Sequence, residues 1–291
     1  MNRILSEEES AKLWNTILEE AENMPALPDI VNKVLEEIDN PNTNAKDMEA
    51  IISKDPVLTA KVLKMSNSAY YGYSREIVTL SEAIIILGLD TLKSLVIAAS
   101  AFKSLNKDYS GYGLSKGDLW RHSLATALAA RLIAKQKNQQ DLEKFFVAGL
   151  LHDIGKVLLT KYIGEYIDAI KQLVKMRDIS FDIAEKEIIG FNHADVGAEI
   201  ANYWKLPPLF YDVIKYHHSP SLCNSENARF VEFVHIADIV AYRLKIGIGM
   251  DGAFYKANKD IFTKYGIDKK FIDSMYDKIN ASIKDFDRAL G

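Results

Sequence analysis

The chain has 291 residues, 48% of them hydrophobic and 26% charged, with a formal net charge of −4 and a pI near 5.9. That composition fits a globular protein of one large domain or two small ones, and the acidic balance argues against nucleic acid or an anionic membrane as partner, because both recruit through excess Lys and Arg. Cys223 is the single cysteine, which excludes an intramolecular disulfide. With no leader-like apolar core after MNRILSEEES and no run of about 18 apolar residues, the expectation is a soluble cytoplasmic protein.

Ser6 and Glu9 have the spacing of a capping box that opens a first helix. Leu27, Ile30, Val31, Val34, Leu35 and Ile38 follow the i, i+3, i+4, i+7 repeat of one helix face, and Asn-Pro-Asn at 40–42 ends that helix. Asp55 before Pro56 reads as an N-cap followed by proline at the first helical position. The apolar runs at 84–87 and 94–99 are short enough for strands, but they continue into good helix formers and are read as buried helices. No period-2 alternation flanked by hairpin turns occurs, so the predicted fold class is all-α. The segment NKDYSGYGLSKGD at 106–118, with its three glycines, predicts a boundary between subdomains 1–108 and 109–291. Further loops are expected at 217–227 and 245–255.

All six histidines, His122, His152, His193, His217, His218 and His235, follow that break. His152 and Asp153 stand together in GLLHDIGK, within the most apolar stretch of the chain, and read as part of one helix. A buried ionised carboxylate without a partner costs several kcal/mol. Either a hydrogen-bond network or a metal ion satisfies it. Imidazole and carboxylate together suit iron, manganese, zinc or cobalt, and separate helices can carry ligands to one point. Gly155 leaves room beside the pair, and Lys156 lies three positions after Asp153, where it can pair with that carboxylate or hold a ligand phosphate. The competing readings are a hydrogen-bonded core histidine at each position, and a solvated helix end for His217 and His218.

The segments MPALPDIVNKVLEEIDNPNTNAKDMEAIISKDPVLTAKVLKMSNSAYYG (24–72) and IVTLSEAIIILGLDTLKSLVIAAS (77–100), followed by LWRHSLATALAA, AGLLHDIGKVLL, HADVGAEIANYWKLP, IKYHHSP and VHIADIVA, resemble the HDOD family of bacterial signalling domains within the HD superfamily of metal-dependent phosphohydrolases. The resemblance covers about residues 20–240. It implies a metal quartet of His122, His152, Asp153 and Asp238, with His193, His217 and His218 as additional ligands for a second ion and Asp153 bridging. It also matches Asp118 to an acidic ligand of some multinuclear relatives, and His235 to a supporting or core residue. It implies one or two divalent transition-metal ions, iron first, with manganese, zinc or cobalt as alternatives. HDOD proteins are often degenerate at these positions, whereas this chain keeps nearly the whole set. The Gly-Tyr-Pro segment of the related HD-GYP phosphodiesterases is replaced by HHSPSLCNSENARF, so the resemblance does not extend to cyclic-di-GMP hydrolysis.

The expected function is therefore a signal-transduction module with a structural or sensory metal site, acting through signalling proteins. Ser66, Asn67, Ser68, Tyr70, Tyr71 and Tyr73 form a polar-aromatic segment that fits either a partner surface or a packed interhelical loop. The alternative is a metal-dependent phosphohydrolase acting on a nucleotide or phosphodiester, with Asp153 and Lys156 carrying catalysis and Lys156 countering phosphate charge. A helix-turn-helix at 44–66 that reads DNA is disfavoured by its few basic residues.

Overall fold

A computed structural model describes residues 4–24, 29–37, 43–68, 70–73, 75–252 and 254–291. Among these residues every regular element is helical, and the only strand-type pairing is an isolated bridge between Tyr109 and Leu114. The first part of the chain forms α1 (Glu7–Glu22), α2 (Asp29–Glu36), α3 (Ala45–Ile52), α4 (Pro56–Ser66), α5 (Leu80–Leu87) and α6 (Leu89–Leu105). After a short 3₁₀ turn come α7 (Asp118–Gln136), α8 (Leu142–Leu151), α9 (Lys156–Ile163), α10 (Ile167–Arg177), α11 (Phe181–Ile189), α12 (His193–Tyr203) and α13 (Pro208–Tyr216). A second 3₁₀ turn leads to α14 (Ala228–Arg243), α15 (Lys259–Lys264), α16 (Lys269–Asp273) and α17 (Tyr276–Leu290).

Local chemistry explains several boundaries. At α1, Glu9 N donates to Ser6 Oγ at 3.3 Å while Ser6 N donates to Glu9 Oε2 at 3.0 Å, the reciprocal pattern of a capping box. At α4, Asp55 Oδ1 accepts from Val57 N and Leu58 N at 2.9 and 3.0 Å, and Pro56 stands where no N–H is needed. Val31, Val34 and Leu35 are buried on α2 as their spacing predicts, while Leu27, Ile38 and residues 40–42 lie outside the described residues. The run at 94–99 is fully buried in α6. The run at 84–87 is helical but only one face is covered: Ile84 is buried, whereas Ile85 is 82% exposed. A two-turn helix packed from one side turns every second or third side chain outward, however apolar its run.

The site is positioned by α7, which packs between α8 and α14, with α13 closing the group against α8, α12 and α14. The N-terminal helix α1 leans on α9 and α12, where Trp14 meets Phe191 at 4.8 Å between ring centroids, and α17 lies on α4 and α7. One continuous apolar core runs through both parts of the chain, from Ile17 and Val62 to Trp120, Phe145 and Phe286. In the polar-aromatic segment, Tyr70 is buried and accepts from Arg131 at 3.0 Å, while Tyr73 is exposed and donates to Ile86 O at 2.9 Å.

Candidate metal centre

His152 and Asp153 lie at a junction, which corrects the expectation of a pair inside one helix. α8 ends at Leu151, and residues 152–155 stay right-handed but switch to i+3 bonds, with Ile154 N donating to Leu151 O and Lys156 N to Asp153 O, both at 3.0 Å. Nothing in GLLHDIGK forbids a continuous helix, so the break is tertiary: α9 is packed against α12 so closely that a β-carbon on Gly155 would lie 1.9 Å from His193 O and 2.6 Å from Gly197 N. His193 is the first residue of α12, His217 directly follows α13, His122 and Asp238 face inward from α7 and α14. All seven residues expected from the sequence meet at one buried point.

Asp153 is the hinge of the arrangement. Its Oδ2 faces His122 Nε2 and His152 Nε2, each at 3.5 Å, and its Oδ1 faces His193 Nε2 at 3.5 Å and His217 Nε2 at 3.8 Å. Asp238 Oδ1 lies 3.0 Å from His122 Nε2 and 3.5 Å from His152 Nε2, and its Oδ2 lies 3.8 Å from His218 Nδ1. His218 and His193 bring their Nε2 atoms to 2.9 Å. Donor atoms thus gather in overlapping groups, each spanning no more than 4.8 Å: Asp153 with His193, His217 and His218; His122 with His152 and Asp153; His152 with His217 and Asp238.

The surroundings fix the imidazoles for ligation. His152 Nδ1 lies 2.7 Å from Gly149 O and His217 Nδ1 lies 2.8 Å from Ile214 O. A carbonyl only accepts, so each Nδ1 carries the proton and each Nε2 lone pair points into the centre. His193 is held likewise through Nδ1, 2.6 Å from Glu185 Oε2. His152 Nε2, His217 Nε2, Asp153 Oδ1 and Asp238 Oδ2 are buried with no hydrogen-bond partner. Four such atoms converging on one point are costly unless a cation takes them. Charge says the same: Asp153, Glu185, Asp238 and Asp251 are each 1% exposed or less, and the buried cation among them is Lys156. The residues therefore fit a divalent metal.

Electrostatics splits the cluster. Burial lowers His152 and His193, but Asp153 and Asp238 beside the first and Glu185 beside the second outweigh it and raise both imidazoles. The two carboxyls, Asp153 and Asp238, and the His217–His218 pair instead shift toward the forms that ligate. Burial works against the Asp153 carboxylate, but the Lys156 ammonium and the imidazoles outweigh it and hold its carboxyl well below the usual range. Asp238 is likewise held low against its burial, by the hydrogen bond to His122 and the nearby His152 imidazole. Burial and the field of His152 push the His217 imidazole down to about 3, and burial with the field of His217 drives His218 well below its usual value. Because His217 is lowered, the unfolded chain binds its proton first, and this imidazole's contribution to the stability of metal-free protein is lost as pH falls below about 6.5. In the presence of a chelator, His217→Gln should shrink the stability difference between pH 7 and pH 5 by on the order of 1–2 kcal/mol, read from urea unfolding. An unchanged difference would show that His217 is protonated in the folded state.

Three expectations from the sequence find definite places. Lys156 takes the first of its two readings, with Nζ 2.7 Å from Asp153 Oδ2. His235 is a support: its Nδ1 donates to His217 O at 2.7 Å and its Nε2 accepts from Asn258 N at 3.0 Å. Asp118 is not part of the cluster; as the first residue of α7 it accepts from Ser115 N at 2.8 Å and lies 3.7 Å from Arg121. The solvated-end reading of His217 and His218 is also corrected, because their side chains are 0% and 5% exposed. Sequence reasoning missed Glu185, Asp251, Tyr112, Tyr242 and Tyr255. Tyr112 donates to Glu185 Oε1 at 2.7 Å, while Tyr255 stacks on His218 at 4.2 Å with an interplanar angle of 7°.

The model of the HDOD domain family matches residues 24–220. The chain belongs to the HDOD domain family. An HDOD domain protein of Geobacter sulfurreducens has the same fold, with a TM-score of 0.77 at 27% identity, covering 95% of this chain and 99% of that one. A Shewanella amazonensis SB2B structure shares the fold at 24% identity and TM-score 0.72, over 94% and 98% of the two chains. Among curated proteins, a Treponema pallidum protein is 28% identical over 212 residues, covering 72% of this chain and 40% of its own length. Ribonuclease Y of Mycoplasmoides gallisepticum is 27% identical over 256 residues, covering 84% of this chain and 37% of its own. This HDOD chain thus spans well under half the length of those two relatives. Asp238 and Asp251 lie beyond the family match, so part of the centre comes from outside the matched region. Among the described residues no helix is long and apolar enough to cross a membrane.

Proposed function

We propose that this chain is a regulatory HDOD module of the cytoplasm, whose centre holds one or two divalent metal ions, iron first, and which acts through signalling proteins. His122, His152, Asp153 and Asp238 take one ion, and His193, His217 and His218 with the other oxygen of Asp153 take a second. The observation that carries the metal is the convergence of four partnerless buried donor atoms on one point. What favours regulation over turnover is closure. Catalytic metal sites keep an open position, whereas these donors are covered by aromatic rings, Tyr242 tilted against His122 at 4.4 Å and Tyr255 stacked on His218 at 4.2 Å.

A second reading, a phosphohydrolase acting on a nucleotide or phosphodiester, is favoured by the completeness of the ligand set and by the candidate phosphohydrolase names of two Shewanella amazonensis neighbours; a Marinobacter aquaeolei neighbour carries a candidate signal-transduction name. A bound divalent ion would supply Lewis acidity toward a phosphoryl oxygen. One assay separates the readings: protein loaded with iron or manganese, tested against a panel of nucleotides and cyclic dinucleotides beside Asp153→Ala. Regulation expects equal, background hydrolysis in both. Metal-dependent turnover lost in Asp153→Ala would make the chain an enzyme.

A further inference from the structure

Lys156 carries more negative charge than one ammonium needs. Its Nζ lies 2.7 Å from Asp153 Oδ2 and 2.6 Å from Asp251 Oδ2, and it donates to the Tyr242 hydroxyl at 3.2 Å. The rings of Tyr112 and Tyr255 face the same ammonium at 5.5 and 5.3 Å. Asp153 belongs to the metal centre, but Asp251 comes from the loop after α14. That loop is seated closely: Met250 N donates to Tyr112 O at 2.7 Å, and a β-carbon on Gly247, at φ +59°, would lie 2.2 Å from Asp118 O. Tyr255 donates its hydroxyl to Asp251 Oδ2 at 3.1 Å. A second carboxylate, 1% exposed and 2.6 Å from a lysine beside metal donors, presents that lysine with an anionic oxygen of the kind a phosphate also offers.

We propose that Asp251 is a resident anion: its carboxylate fills the place on Lys156 that a phosphate-type oxyanion takes, and such a ligand enters only when the loop at 245–252 lifts Asp251 away. This rests on the phosphohydrolase reading, in which Lys156 counters phosphate charge. The observed dissociation constant is the intrinsic one divided by the fraction of protein with Asp251 displaced, so removing that carboxylate strengthens binding without adding a contact. Lys156 keeps Asp153 as its partner, so the substitution leaves no unpaired buried charge.

The test is calorimetric titration of inorganic phosphate into the metal-loaded full chain, with metal content measured in parallel. Asp251→Asn, which keeps the shape and removes the charge, should bind phosphate about tenfold or more tightly than the unaltered chain, and Asp251→Ala likewise. Tyr255→Phe, which removes only the hydroxyl holding Asp251, should fall between. Adding Lys156→Met to Asp251→Asn should abolish the gain, and hydrogen exchange at the Met250 amide should be faster in both Asp251 variants without phosphate. Equal phosphate affinity across the series overturns the proposal, as does a gain that survives Lys156→Met. Variants that retain metal but gain no affinity refute the resident anion alone, whereas absence of metal from the unaltered chain refutes the centre.

Discussion

Asp153→Ala strips the protein of metal. Purified side by side, the variant should hold about tenfold less transition metal than the unaltered chain, because both donor groups lose the carboxylate they share and each ligand deletion removes a large part of the binding free energy. Oδ2 serves the His122 and His152 side and Oδ1 the His193 and His217 side, whereas Asp238 reaches the second side only at His218, 3.8 Å away. The variant should unfold more easily even with a chelator present, since Lys156 is left with Asp251 as its one carboxylate in a 1% exposed position. Loss of one partner from a buried pair costs about 3–5 kcal/mol, and the remaining Asp251 pair places this case near the lower end. Asp118→Asn is the control: its carboxylate accepts from Ser115 N in the turn before α7, away from the cluster, and metal content should not change. Inductively coupled plasma analysis with urea unfolding reads both effects, and an Asp153→Ala protein with full metal content would refute the shared-carboxylate geometry.

Gly155→Ala is the second large effect. The backbone at Gly155 is ordinary right-handed helix, φ −63° and ψ −27°, so conformation alone would let alanine stabilise the turn. Space decides otherwise. The added methyl would meet His193 O at 1.9 Å and Gly197 N at 2.6 Å, both backbone atoms of α12 that cannot rotate away. Relief requires α9 and α12 to separate, which costs about 3 kcal/mol or more and lowers Tm by about 6–10 °C for a chain of this size. The same separation moves Asp153 relative to His193, so metal affinity should fall with stability. Gly164→Ala provides the comparison: it is also right-handed, at φ −54°, and its methyl would meet only Gly111 Cα at 3.6 Å. Calorimetry should find that variant within about 0.5 kcal/mol of the unaltered chain. Equal stability of the two alanine variants would show that the α9–α12 contact is looser than described.

The contrast between what the sequence shows and what it hides follows from where the information lies. Helices such as α2 and α6 are legible because apolar spacing is a property of the local chain, and Ser6 and Asp55 announce their helix starts by bonding to residues two or three positions away. The His152–Asp153 pair is legible because a carboxylate in an apolar run needs a partner, while the other five ligating candidates are legible through the family resemblance rather than through their own surroundings. The break at His152 is not, since each residue from Leu150 to Lys156 accepts helix and only the approach of α12 interrupts it. Glu185 sits on an amphipathic helix and Asp251 in a glycine-rich loop, places where a carboxylate is ordinarily solvated. Only tertiary packing puts one against His193 and the other against Lys156. Asp118 errs in the opposite direction: its spacing to His122 is right for a shared helix face, but a first-turn residue has free N–H groups nearby and its carboxylate turns to Ser115.

The central claim is that the buried His/Asp cluster is a metal centre. Elemental analysis of the unaltered protein, purified without chelators, tests it most directly. The account expects about one equivalent or more of a divalent transition metal per chain, as a site with both His and carboxylate donors retains its ion through purification. Less than about a tenth of an equivalent, in protein that is folded and takes up no added iron, manganese, zinc or cobalt, would contradict it.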